Sequence, residues 1–178
     1  VFMTTSNSTA LSIGVIGLGA MGQGMAGSLR RAGHHVSVCD VRFEAAQAFA
    51  KEGGTAYKTP ADLAKQVDII VSVVVNADQT EQVLFGEHGA AAHLKAGSLF
   101  IMCSTVDPNW SAALEKRLNE MGLLYLDAPI SGGAAKAAAG QMTMMTSGQA
   151  AAYAKAGNAL ESMAANVYKL GDHAGYGS

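Results

Sequence analysis

The chain has little charge. Asp, Glu, Lys and Arg make up only 15% of its 178 residues, where an ordinary globular domain carries about 25%. The 14 acidic and 12 basic side chains leave a net charge of −2. No basic stripe exists to follow a phosphate backbone or an anionic lipid surface, so neither nucleic acid nor a membrane is expected as a partner. Cysteine is as scarce. Cys39 and Cys103, both inside apolar runs, cannot make a disulfide framework or a metal centre, and read as buried thiols in a reducing compartment. His34, His35, His88, His93 and His173 have no metal-ligand spacing. The pair His34-His35, following Gly33, reads as an exposed turn entering a strand. No apolar run approaches the roughly 18 residues of a membrane span. The first ten residues are polar and lack a basic n-region. They read as a disordered tail and not as a signal peptide, which makes the cytoplasm the expected address.

What is present is hydrophobic and rich in glycine. Apolar residues make up 49% of the chain and the mean hydropathy is +0.19, which excludes a disordered chain. The 21 glycines have no collagen-like period, so they mark turns and close backbone approaches. Short β-branched runs alternate with longer Ala-rich ones. Strands are expected at 12–17, 35–40, 68–75, 98–103, 123–127, 142–146 and 167–170. Helices are expected at 20–31, 43–51, 79–85, 108–121 and 150–164. Thr59-Pro60 and Asp107-Pro108 each pair an N-cap residue with Pro at the first helical position. Strand–helix alternation over most of residues 11–178 predicts one α/β domain of the Rossmann type: a doubly wound, mostly parallel sheet with helices on both faces.

Gly17-Leu18-Gly19-Ala20-Met21-Gly22 matches GxGxxG. On its own such a turn can join a strand to a helix without binding anything. Here it follows a strand, opens a helix, and a carboxylate, Asp40, ends the next strand. In a dinucleotide fold the first glycine makes the turn, the second admits the pyrophosphate, and the third lets helix and strand approach. Asp40 would accept hydrogen bonds from the adenosine ribose and repel a 2′-phosphate, which favours NAD over NADP. Arg42 either meets such a phosphate, stacks on adenine or faces water. Val73–Asn76 and Ser104-Thr105 leave later strands at their carboxyl ends, where ligands lie in open α/β sheets. Ser131-Gly132-Gly133 offers a hydroxyl and two unshielded amides, which suits a carboxylate, although a plain glycine turn has the same composition. Met142, Met144 and Met145 read as packing. A methyltransferase also pairs a Gly-rich turn with a ribose-binding acid, and a non-catalytic NAD sensor needs no substrate loop; both readings stay open on these residues.

GVIGLGAMGQGMA (14–26), Asp40, MCSTVDP (102–108) and DAPISGG (127–133) together resemble the β-hydroxyacid dehydrogenases, the family of the 3-hydroxyisobutyrate and 6-phosphogluconate dehydrogenases. The likeness runs from about residue 13 to the end. Residues 74–86 and 131–148 look most like its L-threonate branch. The resemblance implies roles. Gly17, Leu18, Gly19, Ala20, Met21 and Gly22 form the pyrophosphate loop. Asp40, with Val41 and Arg42, meets the ribose. Val75, Asn76 and Thr105 border the cofactor, and Ser131, Gly132 and Gly133 hold a substrate carboxylate. It further implies NAD, with NADP less favoured because NADP-preferring relatives have Asn-Arg in place of Asp40-Val41, a small hydroxy acid as substrate, no metal, and a homo-oligomeric parent enzyme. The family pattern continues with a helix bearing a catalytic Lys, which would fall shortly past Ser178, and then an all-helical domain. No catalytic residue is therefore expected within this chain, and turnover by the chain alone is not expected.

Overall fold

The computed structural model describes residues 10–177. Residues 1–9, most of the expected tail, and residue 178 lie outside the described residues. In chain order the elements are β1 (Ser12–Ile16), α1 (Ala20–Arg31), β2 (His35–Cys39), α2 (Phe43–Ala50), β3 (Thr55–Tyr57), α3 (Pro60–Ala64), β4 (Ile69–Ser72), α4 (Ala77–Phe85) and β5 (Leu99–Met102). There follow α5 (Pro108–Glu120), β6 (Leu124–Asp127), β7 (Ile130–Ser131), α6 (Gly133–Ala139), β8 (Met142–Gly148), α7 (Ala150–Ala156), α8 (Ala159–Met163) and β9 (Ala164–Lys169).

Strands β3, β2, β1, β4, β5 and β6 lie side by side in that order and run parallel. This is the doubly wound arrangement, and β1 stands where the winding reverses. Each interior strand sends alternate side chains to opposite faces. Ile13, Val15, Ile69, Val71, Leu99 and Ile101 pack on one side with Met25 and Leu29 of α1 and Phe49 of α2. Ile70, Phe100, Met102 and Tyr125 pack on the other with Leu63, Leu84, Leu114 and Leu118 of α3, α4 and α5. Each such buried side chain contributes about 1.5–3 kcal/mol, so the two faces hold the parallel strands from both sides.

Beyond β6 the sheet changes direction. β8 pairs antiparallel with β6 through Leu126 and Gly148, then with β7 through Ser131 and Thr143. The Met145 amide donates to the Pro129 carbonyl at 2.9 Å, so one register runs unbroken from Leu126 to Ser131. β9 lies parallel on the far edge of β8.

The caps form as the sequence predicts. Thr59 Oγ1 accepts the Asp62 amide at 3.1 Å, and Asp107 Oδ1 accepts the Asn109 amide at 2.8 Å. Several features differ from expectation, the two-residue β7 among them. The fourth strand stops at Ser72, and Val73–Asn76 leave the sheet. β3 is an unexpected strand, short enough to carry no run of its own. The helix expected at 150–164 is two helices divided at Gly157, and Ala164 already belongs to β9. His34 is not an exposed turn residue but only 6% exposed. Its Nδ1 accepts the Leu11 amide at 3.0 Å and its Nε2 meets Ser162 Oγ at 3.2 Å, which satisfies both ring nitrogens inside the fold.

Candidate functional site

β1 delivers the chain into the turn at Gly17–Gly19. Gly17 has φ +100, and a Cβ there would lie 2.4 Å from the Val73 carbonyl oxygen. A Cβ on Gly22 would lie 1.9 Å from the Gly17 carbonyl oxygen. These two glycines serve the protein's own packing. Gly19 is different: a Cβ there would meet nothing within 4 Å. It is also the N-cap of α1, no side chain caps that end, and no acid stands in the first turn. The first amides of a 12-residue helix therefore face open space without an acceptor of their own. The partial positive charge at that end suits an anion. Ala20 is exposed and Met21 half-buried. Leu18 turns its side chain into the core and contributes through its backbone.

Asp40 ends β2 beside this turn and is buried. Its Oδ2 accepts the Leu18 amide at 2.6 Å. Its Oδ1 accepts the Arg42 amide at 2.9 Å and Arg42 Nε at 3.2 Å. Burial works against ionisation, but the hydrogen bonds from Arg42 and Leu18 and the Arg42 charge outweigh it, so the carboxyl lies below its ordinary value. The Arg42 guanidinium also donates to the Leu18 carbonyl at 3.2 Å. Asp40 and Arg42 thus lock the turn between them, and Asp40 is a carboxylate at neutral pH.

An open cleft of about 640 Å³ runs along the carboxyl ends of β1, β2 and β4, within the range of ligand pockets. Gly17, Gly19, Asp40, Val41, Arg42 and Val75 line it. Val41 and Val75 are large apolar side chains left 101% and 77% exposed on its walls, the kind of surface a flat heterocycle covers. Sequence reasoning missed Lys58, Pro60, Gln79 and Gln82, which also line the cleft. Lys58 follows β3, the strand without a signal. The two glutamines sit on α4, whose apolar pattern announced only its packing face.

Other expected residues lie outside the cleft lining. Asn76 caps α4, its Oδ1 accepting the Gln79 amide at 2.9 Å. Thr105 is exposed just past β5, while its neighbour Ser104 is buried and donates to the Val74 carbonyl at 2.6 Å. Ser131, Gly132 and Gly133 are all exposed. Gly132 and Gly133 have φ +140 and +79. They follow β6, two strands beyond β4 in the sheet, so the cleft and this loop are separate features of the same sheet.

A further set was not anticipated. The buried side chains Glu115, Asp127 and Ser147 accept the amides of Ala174, Gly175 and Tyr176 at 3.2, 3.0 and 3.1 Å. They pin the last described segment across the ends of α5, β6 and β8. Both thiols are buried. Burial pushes Cys39, which lines the cleft, up to about 11 and Cys103 up to about 12. Among the described residues no group of His, Cys, Asp and Glu could hold a metal ion, and no helix is long and apolar enough to cross a membrane.

Comparison with known proteins agrees with this geometry. Residues 12–171 match the model of the NAD binding domain of 6-phosphogluconate dehydrogenase. An L-threonate dehydrogenase of Cupriavidus necator is 55% identical over 167 residues, which cover 94% of this chain and 56% of that protein. An NAD-dependent L-serine dehydrogenase of Pseudomonas aeruginosa is 36% identical, over 89% of this chain and 53% of that protein. The crystal structure of a 3-hydroxyisobutyrate dehydrogenase from Salmonella typhimurium superposes with a TM-score of 0.90 at 40% identity, over 93% of this chain and 58% of that one. The chain spans a little over half the length of these relatives.

Proposed function

Because the chain belongs to the family of NAD-binding domains of 6-phosphogluconate dehydrogenase, we propose that it is the cofactor domain, residues 11–178, of a dehydrogenase. The substrate in this reading is a small hydroxy acid of the L-threonate or 3-hydroxyisobutyrate type. The observation that carries the reading is the glycine turn. Gly19 leaves a cradle that any side chain would fill, above an uncapped helix end and beside an ionised Asp40.

The residues present fit NAD. Bound there, it supplies the acceptor for the hydride from the hydroxyl-bearing carbon. The amides of Ala20 and Met21 offer donors to the pyrophosphate, and Gly19 keeps the path to them clear. Asp40 accepts from one ribose hydroxyl at Oδ2, since each carboxylate oxygen takes about two donors and Oδ1 already accepts two from Arg42. Its negative charge opposes a 2′-phosphate. Arg42, paired with Asp40 at 3.2 Å and bonded to the Leu18 carbonyl, offsets part of that charge. Val41 and Val75 offer apolar surface for the cofactor to cover on the two walls, and Asn76 caps α4 just after Val75. Ser131, Gly132 and Gly133 offer donors to the substrate carboxylate, and Thr105 lies on the adjoining strand end. This reading assigns the proton-transfer step to no residue between 10 and 177.

Thermal shift with NAD, NADP and S-adenosylmethionine separates the candidate ligands. The reading expects the largest stabilisation from NAD. A larger shift with S-adenosylmethionine overturns it in favour of a methyltransferase. Two coarser expectations accompany it. Free buried thiols at Cys39 and Cys103 suit a reducing, cytoplasmic compartment, which fractionation checks. Exposed apolar side chains at Met145, Tyr168, Leu170 and Tyr176 support a homo-oligomeric whole protein, which sedimentation checks.

A further inference from the structure

α6 is poorly equipped to hold its own position. It is a seven-residue helix, GAAKAAA, in which Ala137 alone is buried. Isolated helices of this length do not persist in water. At its N-terminal end stand Gly132 and Gly133, both at positive φ, which leave the backbone free to swing. What fixes α6 is α1, the helix that begins at the pyrophosphate turn.

That attachment is a short seam. Gly24 lies against the α6 backbone: a Cβ on it would stand 2.6 Å from the Ala138 amide nitrogen. One turn on, the buried Ser28 Oγ donates to the Ala137 carbonyl at 2.7 Å. Arg31 donates to Ser28 Oγ at 3.2 Å and also to the Ala138 carbonyl. Ser28 thus adds a second donor to the Ala137 carbonyl, which also accepts the Gly140 amide at 3.2 Å, and Arg31 gives a donor to the Ala138 carbonyl at the end of α6. The other end of the loop is held separately, by Ser131 paired with Thr143 of β8.

We propose that Gly24, Ser28 and Arg31 are positioning residues for the substrate carboxylate. They touch neither ligand. They act through α6 to set where the Gly132 and Gly133 amides stand, so one helix carries the pyrophosphate turn at its start and fixes the substrate loop by its middle. This rests on the assignment of Ser131–Gly133 to the carboxylate. The seam itself is independent of it.

The test uses Gly24→Ala and Ser28→Ala in this chain, with NAD affinity by calorimetry and the Gly132 and Gly133 amide resonances by NMR. Gly24→Ala forces the two helices apart by close to an ångström, and misplacements of that size cost on the order of 10²-fold. Ser28→Ala keeps α1 helical, since Ala is the better helix former, and serves if Gly24→Ala does not fold. Supporting results are moved resonances and faster exchange at Gly132 and Gly133 with NAD affinity unchanged within twofold. Unmoved resonances in both variants overturn the proposal, and so does a parallel loss of NAD affinity. L-threonate titrated into the NAD-loaded chain then reads the consequence, expected as a weakening of tenfold or more. If the unmutated chain binds no hydroxy acid, the carboxylate assignment fails, while the resonances still decide the seam.

Discussion

The two glycine loops are built in opposite ways. The turn at Gly17–Gly22 is clamped on its inner side and open only at Gly19: by the Gly17 amide on the Cys39 carbonyl at 3.0 Å, by Asp40 on the Leu18 amide, and by a Val73 carbonyl that leaves no room for a side chain on Gly17. The loop at Ser131–Gly133 is exposed throughout and ends in a helix with one buried residue. A Cβ on Gly133 would meet nothing within 4 Å. The first loop sits in the interior of a parallel sheet covered on both faces. The second hangs from an antiparallel edge and takes its position from α1. In this chain the turn at Gly17–Gly22 is set by sterics, and the loop at Ser131–Gly133 by a few hydrogen bonds between α6 and α1.

Substitutions break that contrast in a graded way. The largest effect is expected from Gly22→Ala, because its Cβ would overlap the Gly17 carbonyl. Both stability and NAD binding are lost, with a cost of about 3 kcal/mol or more from overpacking, read by chemical denaturation. Gly133→Ala meets open space and should cost only about 1–2 kcal/mol for its left-handed backbone. Gly19→Val comes next. It weakens NAD binding about 100-fold or more by blocking the pyrophosphate. Its melting temperature stays within a few degrees, since the side chain points into open space. Calorimetry and thermal melting on one sample separate the two effects.

Asp40→Ser is smaller. NAD affinity falls about tenfold, as for a lost charge-assisted hydrogen bond, and the gap to NADP narrows as the negative charge goes. The same carboxylate gives a pH dependence. Its folded-state value lies below the ordinary one of about 3.9. Its contribution to stability is therefore complete above that ordinary value and is lost as pH falls through the lower folded-state value. Denaturation midpoints should show no loss attributable to Asp40 between pH 7 and about 5, and Asp40→Ser should flatten the curve below that range. The smallest effect is expected from Ser131→Ala, which removes one exposed donor. Hydroxy-acid affinity falls a few-fold, as for one neutral hydrogen bond, and NAD affinity does not move. A change in NAD affinity would show the two loops to be less separate than their construction implies.

The same contrast explains what was legible in the sequence. The reading of the glycine turn as a strand-to-helix junction matches the fold, because its signals are local: a glycine spacing within six residues, a β-branched strand before it, an acid just after the next strand. Its misses came where signal was absent, as with Lys58 after the three-residue β3, or where a side chain took another task, as Asn76 did in capping α4. The segment at Ser131–Gly133 was legible as a glycine loop, but what positions it was not. The pairs Ser28–Ala137 and Arg31–Ala138 are 109 and 107 residues apart, and no periodicity reports a contact at that separation. Nor did periodicity show one register running from β6 through Pro129 into β7, because the proline reads as a break. His34 failed for a related reason: its partners Leu11 and Ser162 are distant in sequence, and next to a glycine it looked like a surface turn.

The central claim is that the cleft beside Gly19 and Asp40 takes NAD. Calorimetric titration of the unmutated chain with NAD and with NADP at neutral pH tests it most directly. The predicted result is saturable one-to-one binding of NAD, weaker binding of NADP, and NAD binding weakened about 100-fold or more in Gly19→Val. An absence of NAD binding, or NADP binding as tight as or tighter than NAD, would contradict it.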